Sequence, residues 1–153
     1  MPTIKDSGSR RSFDTGAVRD IQEGKGRPSL MPLHVVSRML SDTLKYDNVM
    51  EAIAHFTGEG DTLYLYHALG FFAEMAYNGN VETMLLEAAI HYEQGCLKYG
   101  EDNWKKGIPV NCYLDSAIRH YLKYRRGDDD EPHNRAFVWN IMCCIWEVDY
   151  HRD

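Results

Sequence analysis

The sequence contains no apolar run long enough to cross a membrane and no apolar signal-peptide core at its start. A membrane-spanning helix needs ~20 consecutive apolar residues, and no apolar stretch of the chain approaches that length. The first residues, MPTIKDSGSRRSF, are polar and charged, whereas a secretory signal has a continuous apolar core. We therefore expect a cytoplasmic protein that does not bind membranes.

Paired cysteines are also missing. Four cysteines occur, at positions 96, 112, 143 and 144, and none shows CxxC spacing. Cys143 and Cys144 are adjacent within the apolar run AFVWNIMCCIW, so we expect both to be small buried side chains. Unpaired thiols of this kind are typical of a reducing compartment such as the cytoplasm.

The chain lacks an excess of positive charge as well. Lysine and arginine together number 17, against 23 aspartates and glutamates, which gives a formal net charge of -6. A dedicated nucleic-acid-binding protein is usually basic, because it must neutralise a phosphate backbone. The composition therefore predicts no nucleic-acid partner, although cations do cluster locally.

No standard catalytic signature is present. The glycine-rich stretch TGAVRDIQEGKGR matches neither GxxxxGK[ST] nor GxGxxG, the common phosphate-binding patterns. The sequence also lacks the ExxE…ExxD pattern with which all-α MazG-type pyrophosphohydrolases hold magnesium, and the contiguous His-Asp pair of HD phosphohydrolases. Serine or cysteine nucleophile sites have no supporting spacing. A site must therefore come from dispersed side chains that the fold brings together.

The spacing of apolar residues predicts an all-α fold in one domain, residues 1–153. We expect Asp47, Asn80 and Asn111 to cap the helices that follow them. Residues 1–31 are rich in glycine and cations and predict an extended, glycine-rich basic N-terminal arm. About six helices should form a compact bundle, over residues 32–46, 48–57, 61–77, 81–99, 112–126 and from 132 onward.

The third predicted helix is apolar almost all round, with the sequence DTLYLYHALGFFAEMAY. A helix without a polar face is buried, either in its own domain or at a subunit interface. We therefore expect a homo-oligomer. The fourth helix is expected to bury Val81, Leu85, Ala88, Tyr92 and Cys96.

Polar residues on three of the predicted helices could meet in the bundle. His120 lies on the fifth helix, His133 and Asn140 on the sixth, and Glu93 on the fourth. Helix bundles build their sites from side chains on facing helices. Asn140 lies inside an apolar run, so it should be buried and hydrogen-bonded.

Several charged segments permit two interpretations each. The acidic stretch Asp128–Glu131 either supplies metal ligands or forms a solvated, helix-capping turn. The cations of the N-terminal arm either bind an anion with the help of flexible glycines or belong to a solvated tail. Glu87 and His91, four residues apart, form either a metal-binding pair or a surface pair. Trp104, among lysines, either stacks on a base or anchors its loop.

Three stretches together resemble a known family. They are SFDTGAVRDIQEGKGR, HYEQGCLKYGEDNWKKGIP and YLDSAIRHYLKYRRGDDDEPHNRAFVWN, and they are similar, in that order, to the phage and prophage domain known as the N-terminal domain of dATP/dGTP diphosphohydrolases. The likeness covers most of the chain, and about residues 45–82 look like a helical insertion found in longer members. The resemblance implies cleavage of purine deoxynucleoside triphosphates to monophosphate and pyrophosphate in the cytoplasm of a bacterial host.

The residues that match the family's stretches are expected to line a shared pocket. The resemblance and the cross-helix polar set together assign catalysis to Glu93, His120 and His133. Mg²⁺ or Mn²⁺ is expected as cofactor, held by Glu93, His120, His133 and Asp130. The expected nucleotide-binding residues are Arg19, Lys25, Arg27, Lys98, Asn103, Trp104, Arg119 and Asn140.

Two functions from different classes remain open at this point. The first is a metal-dependent purine nucleotide phosphohydrolase, favoured by the resemblance and the cross-helix polar residues. The second is a nucleotide-binding module without catalysis, regulatory or nucleotide-sequestering, favoured by abundant cations and few carboxylates on facing helices. A purely structural role is a third and weaker interpretation.

Overall fold

A computed structural model describes residues 3–42 and 45–151 of the chain. The prediction of an all-α fold with about six helices is confirmed. A two-stranded antiparallel hairpin precedes the helices, with strands β1 (Arg10–Ser12) and β2 (Val18–Asp20). The helices are α1 (Leu33–Met39), α2 (Asn48–Glu59), α3 (Leu63–Tyr77), α4 (Val81–Tyr99), α5 (Val110–Arg126) and α6 (His133–Tyr150), and short 3₁₀ turns cover Pro28–Leu30 and Asn103–Lys106.

Side-chain caps explain where two of the helices begin. The Asp47 carboxylate accepts a hydrogen bond of 2.8 Å from the Met50 amide at the start of α2, and Asn80 accepts one of 2.8 Å from Thr83 at the start of α4. Both caps were predicted and are confirmed. The prediction of a cap at Asn111 is wrong, because α5 begins earlier, at Val110, directly after Pro109.

The first helix is shorter than its apolar spacing predicts. It ends at Met39 instead of extending to residue 46, and the chain then folds back. The Asp47 amide donates to the Ser37 carbonyl over 2.9 Å, and the Ser37 hydroxyl donates to the Asp47 carbonyl. Residues 43 and 44 of the predicted helix lie outside the described residues.

Helices α5 and α6 pack against each other through the centre of the molecule. Tyr113, Ile118, Phe137 and Ile141 are fully buried between the elements. As predicted, the adjacent Cys143 and Cys144 belong to this core. Among the residues that the structure describes, no helix combines the length and the apolar character that crossing a membrane requires.

The exposed faces of α3 and α4 differ from those predicted. Leu65 and Phe72 of α3 are buried, but Tyr66 is 52% exposed and Phe71 42% exposed, so this helix is not buried all round. In α4, Ala88 is buried as predicted. The prediction is wrong for Val81, Leu85 and Cys96, which are exposed, whereas Tyr92 is partly buried and packs against the core.

Residues 3–31 contain paired strands where only extended or loop structure was expected. Arg11 is paired with Arg19 in the hairpin register. Each strand has only three residues, too few for an alternating apolar pattern to be visible in the sequence. The hairpin is held on the bundle by Asn103, whose amide oxygen accepts from the Val18 amide over 2.9 Å and whose amide nitrogen donates to the Val18 carbonyl over 2.8 Å.

Asp115 holds the next part of the arm against α5. This fully buried carboxylate accepts hydrogen bonds from Gln22 (3.0 Å), Arg27 (3.0 Å) and the Ser29 amide (2.8 Å). Burial by itself would raise the pKa of Asp115, but these three donors outweigh it and the pKa is lowered. Arg27 therefore belongs to the anchor of the arm.

Candidate functional site

A cavity of about 490 Å³, which we call the polar cavity, lies between the N-terminal hairpin and the helices. Its walls come from residues 4–25, the second half of α4, α5 and the first half of α6. Cations outnumber carboxylates among the lining residues: Lys5, Arg11, Arg19, Lys25, Lys98, Arg119 and Lys123 against Asp6, Asp20 and Glu131.

Two of these cations are oriented without being neutralised. Arg119 donates from Nη1 to the Gly26 carbonyl over 2.5 Å, and Lys98 donates from Nζ to the Lys5 carbonyl over 2.5 Å. A carbonyl acceptor fixes a cationic side chain but leaves its charge in place. Since the whole chain is acidic, this positive surface is local to the cavity, and it suits an anionic ligand.

A chain of hydrogen bonds connects two histidines to an aspartate beside the polar cavity. The Nδ1 atoms of His120 and His133 are 2.9 Å apart, and Nε2 of His133 is 2.8 Å from a carboxylate oxygen of Asp130. His133 is only 2% exposed, whereas His120 lines the cavity. The fold thus brings together His120 and His133, as predicted.

The Asp130 carboxylate at the end of this chain determines which nitrogens of the two histidine rings carry a proton. A hydrogen bond from Lys5, followed by one from His133, lowers the pKa of Asp130, so its carboxylate is ionised and only accepts. His133 must then donate from Nε2 and, when neutral, accept at Nδ1. His120 in turn donates from Nδ1, which leaves Nε2 of His120 as a proton acceptor.

His120 is held in its neutral form. Desolvation by the surrounding protein, and then the nearby His133, lower the pKa of His120 well below its ordinary value. A neutral imidazole can accept a proton or bind a metal ion, and an imidazolium can do neither.

Among the described residues, two overlapping groups of side chains could hold a metal ion. The first consists of His120, Glu131 and His133, and the second of Asp128, Asp130 and His133. Within each group, one ligand atom from every residue lies within 4.8 Å of the others. Two imidazoles with one carboxylate suit a transition ion such as Mn²⁺ better than Mg²⁺, which prefers oxygen ligands.

Arg19, His91, Trp139 and Asn140 form one side of the polar cavity, which we call the inner wall. The Arg19 guanidinium lies 5.3 Å from the centre of the Tyr113 ring and 5.7 Å from that of Trp139. Its Nη2 donates to the Asn140 side chain over 3.3 Å. Asn140 is buried and in turn donates to the Ala136 carbonyl over 2.8 Å, so the expectation of a buried, hydrogen-bonded asparagine is confirmed.

Most of the predicted nucleotide-binding residues line this cavity, and a few predicted site residues do not. Asn103 lines it while anchoring β2, and Arg27 lies outside it, in the ion pair with Asp115. Trp104 lies in a separate apolar cavity of about 470 Å³ between α3, α4 and α6. Glu93 is exposed on α4, and neither the cavity lining nor the two possible metal groups include it. The predicted site residues that line the polar cavity are Arg19, Lys25, Lys98, Asn103, Arg119, His120 and Asn140.

Three residues of the site were not predicted. His91 is buried against Trp139, with ring centres 5.8 Å apart, so the interpretation of His91 and Glu87 as a surface pair is wrong. Lys5 donates from its backbone amide to Glu131 over 2.8 Å and from Nζ to Asp130 over 2.5 Å. The only sequence signal for Trp139 was its position beside Asn140, and nothing in the sequence indicated Lys5.

The second half of the chain, which supplies the histidines and most of the helical wall, matches a known family. The model of the dATP/dGTP diphosphohydrolase N-terminal domain matches residues 73–153. The arm lies outside the matched range, although it contributes to the polar cavity. No curated protein and no solved structure matches the chain.

Proposed function

Because the chain belongs to the family of dATP/dGTP diphosphohydrolase N-terminal domains, we propose that it hydrolyses purine deoxynucleoside triphosphates to monophosphate and pyrophosphate. The substrate binds in the polar cavity. The observation that carries the proposal is the position of His120, which lines a cavity rich in cations and is hydrogen-bonded through His133 to Asp130.

The cations of the cavity bind the triphosphate. Lys98 and Arg119 are fixed by backbone carbonyls and keep their charge, and Lys123 lines the same cavity. Phosphoryl transfer depends mainly on positioning the phosphates and on neutralising the charge that develops on their oxygens. A set of pre-oriented cations both positions the phosphates and neutralises this charge.

The histidines handle the proton of the attacking water. Nε2 of His120 accepts a proton while the water oxygen forms a bond to the α-phosphorus. The bond from that phosphorus to the bridging oxygen of the β-phosphate breaks, and pyrophosphate leaves with the bonding electrons. His133, which is held by the Asp130 carboxylate, accepts from Nδ1 of His120 and so keeps the ring in the tautomer whose Nε2 is free to accept the proton.

The family resemblance implies a divalent cation, and the donor set fits one. His120, Glu131 and His133 would hold it, and a bound ion would neutralise charge on the phosphates. His120 and His133 can either hold the ion or form the hydrogen-bond chain that accepts the proton. The metal dependence of turnover distinguishes these two arrangements. Because two of the three ligands are imidazoles, Mn²⁺ is preferred over Mg²⁺.

We expect the purified protein to convert dATP or dGTP to the monophosphate and pyrophosphate, faster with Mn²⁺ than with Mg²⁺. The measurement is separation of the products after incubation with a panel of deoxynucleotides and ribonucleotides, with each metal or with EDTA. Turnover that persists in EDTA would assign catalysis to the histidine chain without metal. Nucleotide binding without turnover under any metal would contradict hydrolysis and establish the nucleotide-binding module instead.

We also propose that the apolar surface of α3 and α4 binds a second copy of the chain. Tyr66, Val81 and Leu85 line the apolar cavity and are each more than 40% exposed, and Glu74 is the only carboxylate or lysine/arginine cation in α3. Large exposed apolar patches mark interaction sites, and a patch with little charge does not repel its own copy.

Light scattering is therefore expected to show a dimer or larger oligomer. Leu85→Lys places a charge on the proposed interface and should shift the protein toward the monomer. Leu97→Lys, at a position that is 84% exposed and lines neither cavity, is the matched control. A monomeric wild-type protein at micromolar concentration would contradict the proposal.

A further inference from the structure

The inner wall contains three buried polar atoms that have no hydrogen-bond partner among the described residues. They are Nη1 of Arg19, Nδ1 of His91 and Nε1 of Trp139. All three side chains line the polar cavity. Buried polar groups in native proteins are almost always hydrogen-bonded, so each exception requires an explanation. Their concentration on one wall of a cavity indicates a place where the polar atoms of a ligand complete the hydrogen bonding.

The chemical character of these atoms restricts the ligand. The indole nitrogen of Trp139 and the guanidinium nitrogens of Arg19 donate hydrogen bonds and never accept them. His91 is neutral, since burial and then the charge of Arg135 lower its pKa to about 4, and it contributes one further donor and one acceptor. The wall therefore offers mainly donors, and the complementary ligand edge carries acceptors.

The low charge of the inner wall favours a base over a phosphate at this position. The inner wall holds one cation, Arg19, and its Nη2 already donates to Asn140. The other three side chains of the wall are neutral: His91 and Trp139 are aromatic rings and Asn140 is an amide. A triphosphate carries several negative charges and is better served by the cations elsewhere in the cavity, among them Lys98, Arg119 and Lys123. A neutral, flat ligand part suits the inner wall.

The two purines differ at the edge that such a wall would contact. Guanine presents N7 and O6, which are adjacent acceptors, whereas adenine presents the N7 acceptor beside an N6 amino donor. Donors facing O6 and N7 make two hydrogen bonds with guanine. With adenine, one donor of the wall would face the N6 amino group, which is also a donor, and would remain without a hydrogen bond.

We propose that the inner wall binds the purine base by its O6 and N7 edge, so that 6-oxopurines are preferred over 6-aminopurines. The proposal rests on the function proposed above, the binding of a purine nucleotide in the polar cavity. In this arrangement Trp139 donates to O6 and Arg19 to N7, and these two buried nitrogens turn toward the cavity when the base binds. Asn140 positions Arg19 without contacting the base.

The test compares the affinities of two substrate analogues that cannot be hydrolysed. Calorimetry with the α,β-methylene analogues of dGTP and dATP should show roughly 10- to 100-fold tighter binding of the guanine compound, as expected for a bidentate base contact. The deoxyinosine analogue keeps O6 and N7 but lacks the N2 amino group, and should bind like the guanine compound.

Removal of one donor from the wall provides the second arm of the test. Trp139→Phe keeps an aromatic ring and removes the N–H donor that faces O6 in this proposal. It should weaken guanine-analogue binding roughly tenfold and leave adenine-analogue binding unchanged, because adenine has no acceptor at that position. Trp146→Phe is the matched control, because Trp146 lines the apolar cavity and not the polar one.

Three outcomes would overturn the proposal, and they can be distinguished. Equal affinity of the wild-type protein for both analogues would reject the base preference and leave nucleotide hydrolysis intact. If Trp139→Phe weakened the binding of both analogues equally, the phosphates, and not the base, would lie at the inner wall. Absence of binding by either analogue would reject the proposed function together with this inference.

Discussion

Replacement of His120 by glutamine is expected to lower the rate of nucleotide hydrolysis by roughly 10²- to 10⁴-fold, the usual contribution of a positioned acid or base. Glutamine has a similar length and can still donate toward His133, but it cannot accept a proton from water. Because His120 lines the cavity while its Nδ1 contacts His133 over 2.9 Å, the substitution removes the proposed proton acceptor from the cavity. The measurement is the initial rate of pyrophosphate release at saturating substrate.

Two further variants test whether His120 is assisted by its partners. Asp130→Asn removes the ionised acceptor of His133 and should slow turnover less, roughly tenfold, because Asp130 acts through His133. His55→Gln is the control for histidine loss, since His55 is exposed on α2 and does not line the cavity. Unchanged turnover in His120→Gln, with a native circular dichroism spectrum, would show that the chemistry lies elsewhere.

The double variant Lys98→Ala with Arg119→Ala should weaken nucleotide binding about 100-fold. Both cations line the cavity and are oriented by backbone carbonyls, and the loss of each phosphate contact is expected to cost about 1.4 kcal/mol, or tenfold. Calorimetry at two salt concentrations is the measurement. The salt dependence of the affinity should become shallower in the variant, because fewer charges contribute to binding.

The arm offers controls for this second prediction. Lys25→Ala should also weaken binding, since Lys25 lines the cavity, whereas Arg27→Ala should leave the affinity unchanged because its guanidinium is bound to Asp115 outside the cavity. Lys105→Ala removes a cation that does not line the cavity. A double variant that binds as tightly as the wild-type protein would show that the phosphates do not contact these cations.

Local signals predicted the helices and two of their starts. Asp47 and Asn80 accept from amides three residues ahead, an interaction contained within one turn of the chain. The end of α1 was not predictable in this way, because it depends on the contact between Ser37 and Asp47, which is made only when the chain folds back.

Sequence reasoning identified those residues of the candidate site that lie on the two central helices. His120, His133 and Asn140 belong to α5 and α6, which form the core, so their apolar neighbours indicated which side chains point inward. Glu93 illustrates the opposite case. His91 precedes it by two residues, and two residues correspond to about 200° of rotation on a helix, so the burial of His91 places Glu93 on the outer side.

The sequence by itself determined the helical class, the absence of standard nucleotide-binding motifs, and the family resemblance, which the match over residues 73–153 bears out. These properties depend on residue spacing along the chain. Only the tertiary structure decided that the arm contains a hairpin, that Lys5 meets Asp130, and that Arg19 lies on Trp139. The last two contacts join residues more than 100 positions apart, and their geometry depends on how the helices rotate and pack, which no local pattern encodes.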